Sequence, residues 1–234
     1  VRRARVRRQG PAMSGTSTVA QLRCVSCGKT YREGEVDYTC PACGIEGILD
    51  VEFDYERVEK TLSPATIRER PASIWRYREV LPIPDGAALP TLQIGMTPVF
   101  ELPVVARRHG LGGLFIKDDG RLPTGSFKDR ASAVGTARAV ALGFKEIACS
   151  STGNAASSLA GWSAHWGLRA FIFVPAAAPE AKVTQLRIFG ATVLLVDGSY
   201  DQAYDLCEQA VKAFGWYNRN CAVNPYLVEG KKTC

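Results

Sequence analysis

The chain has 234 residues, 46% of them hydrophobic and 22% charged, with a formal net charge of +6. That balance suits a packed globular core and excludes global disorder; no run of about 18 apolar residues exists to cross a bilayer as a helix, so no membrane partner is expected. Arg2, Arg3, Arg5, Arg7 and Arg8 supply five positive charges, so the excess is local and the body of the chain gives no general case for a nucleic-acid partner.

In chain order, residues 1–20 read as a basic, disordered arm. The arm lacks the apolar segment of a secretory signal. It is expected to be an overextended start with Met13 as initiator; a targeting segment and a basic tail are the competing readings. Residues 21–50 hold a cysteine module, and residues 51–95 a connector of helix and loop. Helical character falls around 55–62 and 77–81, and Pro82, Pro84, Gly86 and Pro90 punctuate a loop.

From residue 114 the pattern becomes regular. Strands are expected at 114–117, 146–149, 170–174 and 192–196. Helices are expected at 129–142, 154–166, from Pro179 to Phe189, and at 200–214. The run at 170–174 is apolar throughout, as in a strand buried on both faces. Gly143 suits a helix stop and Pro179 a helix start. The alternation predicts an α/β fold of βαβ units around a parallel sheet, with functional loops at the carboxyl ends of its strands. Gly110, Gly112 and Gly113 read as a turn.

The module contains Cys24-Val25-Ser26-Cys27-Gly28 and Cys40-Pro41-Ala42-Cys43-Gly44, with twelve residues between the pairs. Each Cys-x-x-Cys places two thiolates on one edge of a metal, and the trailing glycine permits the tight turn beneath them. Cys24, Cys27, Cys40 and Cys43 then complete a closed tetrahedral site for structural Zn²⁺, a zinc ribbon with no open position for catalysis. Iron fits the same ligands, and buried free thiols are the bland alternative. Tyr31 and Tyr38 are placed to flank the intervening hairpin. Paired spacing with scattered Cys149, Cys207, Cys221 and Cys234 fits a reducing, cytoplasmic compartment better than a disulfide framework. His109 and His165 have no convincing triad partner in sequence.

Two segments carry chemistry. Lys128 follows the turn-forming Pro123 and Gly125 in Pro123-Thr124-Gly125-Ser126-Phe127-Lys128-Asp129-Arg130 and opens an alanine-rich helix. A helix N-terminus and apolar neighbours favour the neutral amine needed to attack an aldehyde; a solvated Lys-Asp-Arg triplet explains the same residues. Ser150-Ser151-Thr152-Gly153-Asn154-Ala155-Ala156 runs from a strand into a helix. Hydroxyls, an amide and free backbone N–H groups there suit a carboxylate, and simple N-capping by Ser151 or Thr152 is the alternative.

Together these two segments resemble the threonine synthases, fold-type II pyridoxal phosphate enzymes with a tryptophan synthase β-like fold. Gly95-Met96-Thr97-Pro98, Asn224-Pro225-Tyr226 and Glu229-Gly230-Lys231-Lys232-Thr233 support the likeness, which runs from about residue 22 to 233. Many members carry a four-cysteine ribbon ahead of the catalytic body. The resemblance implies parallel sheets flanked by helices, and makes 96–234 a partial catalytic body, incomplete in its C-terminal half. It implies pyridoxal 5′-phosphate held by Lys128 through a Schiff base, with Asn154 bonded to the cofactor's 3′-oxygen. Ser151, Thr152, Asn154 and the backbone near Ala155 would receive the carboxylate of a small amino-acid substrate. The implied reaction converts O-phospho-L-homoserine and water to L-threonine and phosphate, with Lys128 moving protons. Another fold-type II lyase, such as a serine or threonine dehydratase, and a non-catalytic zinc-ribbon binding protein are the other readings. Fold-type II enzymes are commonly dimers, which makes a homodimer the implied assembly.

Two departures stand out. Members continue to a glycine-rich loop that cradles the cofactor phosphate, and no such loop follows Thr233. The chain is therefore expected to be a fragment that binds the cofactor weakly and turns over little. Members often read Asn-Pro-x-Arg, with the arginine on the substrate phosphate; here that position is Leu227, which cannot make such a contact. Arg219 and Lys231 are the candidate replacements.

Overall fold

The computed structural model describes residues 17–234. Most of the expected basic arm thus lies outside the described residues. Its last part does not behave as an arm, because β1 (Val19–Cys24) is already a strand. Antiparallel pairing joins β1 to β2 (Thr30–Tyr31) and to β3 (Leu49–Phe53), in the order β2-β1-β3. Val19 pairs with Phe53, so the ribbon outruns both ends of the module read from the cysteines. Cysteine spacing marks the metal knuckles and carries no information about the ladder beyond them. Leu22, Cys24, Cys40 and Leu49 form its core together with Tyr226 from the far end of the chain.

The connector holds α1 (Tyr55–Glu59), capped by Asp54, and α2 (Pro64–Glu69), opened by a capping box between Ser63 and Thr66. The expected helix at 77–81 is instead part of a 3₁₀ segment, Ile74–Val80, kinked at Tyr77. Ile74, Trp75, Leu81, Ile83 and Ile94 bury themselves with Leu122, Val134 and Trp162, so packing rather than helical periodicity decides this path.

Next, β4 (Val99–Glu101) leads through α3 (Pro103–Arg108) to β5 (Phe115–Lys117), and β4 and β5 pair antiparallel. The strand expected at 114–117 therefore exists but lies outside the parallel sheet. Val99, Phe100, Phe115 and Ile116 remain exposed on this two-stranded unit. Gly110 takes a positive φ of 65° in the turn after α3, as its glycine-rich sequence predicts.

The regular half follows as α4 (Lys128–Ala141), β6 (Glu146–Ser150), α5 (Asn154–Trp166), β7 (Arg169–Pro175), α6 (Glu180–Ile188), β8 (Thr192–Val196), α7 (Tyr200–Phe214), β9 (Tyr217–Asn218) and α8 (Pro225–Lys231). The four strands are parallel in the order β8-β7-β6-β9. Alternate strand residues face opposite layers. Ile147, Cys149, Ile172 and Val174 pack against Leu159 of α5 and Leu186 of α6. Ala148 and Phe173 pack against Ala203, Cys207 and Val211 of α7. The chain moves outward from β6 to β8, then returns across α7 to place β9 on the other side of β6. The order reverses beside β6, and ligands of open α/β sheets bind at the carboxyl end of such a reversal.

Two glycines bring α8 against α4. A Cβ at Gly135 would overlap Leu227, and one at Gly230 would overlap the carbonyl of Arg130. Leu227 is fully buried in this contact.

Candidate active site and metal centre

The turn ahead of Lys128 closes with Gly125 N–H donating to the Leu122 carbonyl at 2.8 Å, and Gly125 has φ of 77°. Lys128 is half-buried as the first residue of α4, with its Nζ 5.5 Å from the Phe127 ring centre. Its two neighbours contradict the solvated-triplet reading, because Asp129 and Arg130 are both fully buried. Asp129 accepts hydrogen bonds from Thr124 N (2.7 Å), Thr124 Oγ1 (2.5 Å), Ser158 Oγ (2.8 Å) and Trp162 Nε1 (3.0 Å). Ser158 and Trp162 lie on α5, the helix that begins with Asn154. Lys128 and Asn154 thus open two helices locked together by the residue beside the lysine.

Ser151, Thr152 and Ala155 are half-buried and Asn154 is exposed. Capping of α5 by Ser151 or Thr152 is not what the structure shows. The cap is Gly153, which has no side chain to offer, while Ser151 Oγ accepts from Gly153 N–H at 3.2 Å within the loop. The first amides of α5 therefore start the helix without a side-chain cap, an arrangement that suits an anion. Ser150 N–H donates to Asn220 Oδ1 at 2.9 Å, and Tyr200 Oη donates to the Ser150 carbonyl at 3.2 Å. These bonds fix the loop at the reversal between β6 and β9.

Arg130 joins motifs that are far apart in sequence. Its Nε and Nη2 grip Asp119 at 2.7 and 2.8 Å, and its Nη1 reaches the Thr233 carbonyl at 2.6 Å. Thr97 Oγ1 donates to Asp119 at 2.7 Å. Hydrogen bonds from Arg130, outweighing burial, hold the Asp119 carboxyl down to about 2, against an ordinary 3.8. A depressed carboxyl stabilises the fold above its unfolded value and loses that contribution as it is protonated. Stability from this pair is therefore full above pH 3.8 and falls away toward about 2. Urea midpoints measured across that window should fall, and an Asp119→Asn variant should lose this component of the slope. Parallel slopes for the two proteins would reject the assignment.

Leu227, where the resemblance implies an arginine, fills the notch at Gly135. Arg219 is buried, with Nη2 donating to Ser132 Oγ at 3.1 Å and Nη1 to Cys221 Sγ at 3.3 Å. Lys231 is half-buried at the end of α8.

The four cysteines of the ribbon converge. The Sγ atoms of Cys24, Cys27, Cys40 and Cys43 all lie within 4.8 Å of one another. Gly28 and Gly44, with φ of 73° and 62°, turn the chain beneath each pair. Tyr31 Oη lies 3.0 Å from Cys40 Sγ, and this hydrogen bond brings the Cys40 thiol down to about 6. Four soft donors at this spacing fit a tetrahedral zinc ion. Cys149 and Cys207 are buried, as small apolar residues would be, whereas Cys221 is half-buried and Cys234 exposed.

The ribbon docks on the helices of the site. Glu33, between the cysteine pairs, meets the buried Arg138 of α4 at 2.6 Å. Arg138 also donates to the Pro82 carbonyl at 2.9 Å, and its guanidinium lies 3.6 Å from the centre of the Tyr226 ring. Tyr38 Oη accepts from Asn218 N–H at 3.2 Å, and its ring meets Tyr217 edge-on at 6.0 Å.

Comparison with known proteins places this architecture. The model of the pyridoxal-phosphate dependent enzyme family matches residues 90–234. Threonine synthase of Methanocaldococcus jannaschii is 39% identical over 212 residues, covering 90% of this chain and 51% of its own length. Threonine synthase of Methanosarcina acetivorans is 36% identical over 213 residues, covering 91% and 51%. The chain spans about half the length of these curated relatives. Diaminopropionate ammonia lyase from Escherichia coli shares the fold, with a TM-score of 0.52 at 19% identity over 58% of this chain and 42% of that one. With a parallel sheet, a lysine-led helix and a family match across both, the chain belongs to the pyridoxal-phosphate dependent enzyme family.

Proposed function

We propose that this chain is the lysine-bearing part of a threonine synthase, which converts O-phospho-L-homoserine and water to L-threonine and phosphate. The observation that carries the reading is the junction of α4 and α5. The residue after Lys128 binds the helix opened by Asn154, in a chain 39% identical to a threonine synthase.

Pyridoxal phosphate, when bound, supplies an electron sink for carbanion chemistry at the substrate. The chain's own residues do the rest. Lys128 would hold the cofactor through its aldehyde and, when free of it, would carry protons to and from the substrate carbons. Asn154 would hold the cofactor's 3′-oxygen through its side-chain amide. The hydroxyls of Ser151 and Thr152, Asn154 and the Ala155 amide hold the substrate carboxylate at the uncapped start of α5. The four-cysteine centre holds structural zinc and takes no part in the reaction.

Incubating the full-length parent protein and cofactor with O-phospho-L-homoserine, threonine and serine separately tests the reading. Phosphate and threonine from the first substrate alone are expected. Ketoacid from threonine or serine without phosphate release would instead identify a dehydratase.

A further inference from the structure

We propose that Asp129 is the positioning residue for Lys128, holding the lysine's turn in register with the asparagine loop. The inference rests on the reading of Lys128 as the cofactor lysine. Its basis is the division of labour between the two carboxylate oxygens. Oδ2 accepts the backbone N–H of Thr124, in the turn four residues ahead of the lysine. Oδ1 accepts three donors, Thr124 Oγ1 from the same turn and Ser158 Oγ and Trp162 Nε1 from α5. One buried side chain therefore ties the turn before Lys128, the helix after it and the helix led by Asn154 to a common point.

A charge fully withdrawn from water is costly unless its hydrogen bonds are satisfied. Here four donors converge on it, and none is a cation. The carboxylate is satisfied by the turn and α5, so its negative charge is committed to neutral donors and is not spent on an ion pair with the neighbouring amine. The turn is pinned a second time by shape. A Cβ at Gly161 of α5 would stand 2.6 Å from Thr124 Cγ2, so only glycine lets the turn seat this closely. Lys128 can then adopt few positions relative to Asn154, the condition that a reacting amine requires.

Asp129→Asn separates positioning from folding. The amide retains an oxygen for the Oδ1 donors and sets an NH₂ group against the Thr124 N–H. The Oδ1 ties to α5 and to the Thr124 hydroxyl survive, while the bond from the Thr124 backbone N–H is broken. The probe is pyridoxal 5′-phosphate followed by borohydride, with labelled lysines counted by peptide mass spectrometry; exposed Lys60 and Lys212 serve as internal controls. In the wild-type protein, Lys128 is expected to label faster than either control. In Asp129→Asn its rate should fall about ten- to a hundredfold relative to them. Ser158→Ala, which removes one Oδ1 donor, should produce a smaller fall in the same direction and decides the matter if the asparagine variant does not fold. A carboxylate that merely stabilised the fold would lower the melting midpoint and leave the labelling ratio of the folded protein unchanged. That unchanged ratio, with Lys128 still preferred in the wild type, overturns the positioning role alone. Absence of any Lys128 preference in the wild type overturns the cofactor-lysine reading, and the inference with it.

Discussion

Arg138→Met is expected to destabilise the protein by about 3–5 kcal/mol, the range for removing one partner of a buried ion pair. The side chains of Arg138 and Glu33 are only 3% and 11% exposed. Removing the guanidinium leaves the Glu33 carboxylate desolvated, frees the Pro82 carbonyl and strips the cation from the Tyr226 ring. One substitution therefore loosens the ribbon, the connector and α8 from α4 together. Combining it with Glu33→Gln removes the stranded charge, so the double variant should recover part of the loss. Urea denaturation of the two single variants and the double gives the coupling directly. A cost under about 1 kcal/mol, the level of an exposed pair, would show that the contact is not buried in solution.

The second large effect is expected at the cysteines. Cys24→Ser should abolish binding of one zinc ion per chain and unfold the ribbon. Its core is Leu22, Cys24, Cys40, Leu49 and the borrowed Tyr226, too little apolar surface to hold three short strands without a staple. Structural zinc contributes about 10–16 kcal/mol of apparent binding energy in small zinc-binding peptides. Metal analysis with hydrogen exchange over β1, β2 and β3 checks this. Protection that persists in both Cys24→Ser and chelator-treated wild-type protein would show that the ribbon folds without metal.

These two sites differ in how visible they are in the sequence. Four cysteines and their trailing glycines announce a cluster able to hold a metal because the thiols lie in two tight local turns. Arg138 and Glu33 announce nothing, since each is a single charge 105 residues from the other. The same contrast runs through the fold. The helices expected at 154–166 and 200–214 coincide with α5 and α7, and the strand at 192–196 with β8. Their apolar periodicity extends over several turns or a full strand, and Ser199 and Gly215 bound α7 with a capping box and a left-handed stop. By contrast α2, α3 and α8 have six, six and seven residues, and β9 has two. Elements that short carry little periodic signal, and long-range packing settles them.

Within the candidate site, the sequence draws attention to Lys128 and Asn154 because each sits in a distinctive local motif. It does not mark Asp129 and Arg130, because adjacent charges resemble a wet surface until their partners are known. Those partners include Ser158 and Trp162 for the first, and Asp119 and Thr233 for the second. The loop at Ser151 shows the opposite error: hydroxyls at the start of a helix suggest a cap, yet Gly153 takes that place and leaves the helix end open.

The strands β4 and β5 offer an apolar edge for pairing with a second molecule. Val99, Phe100, Phe115 and Ile116 are 59%, 49%, 63% and 47% exposed, and the outer edge of each strand is unpaired among the described residues. Such edges template further strands, and the apolar side chains beside them reward the contact. A lysine placed on either three-residue strand is therefore expected to reduce pairing at this edge, which light scattering at high concentration checks.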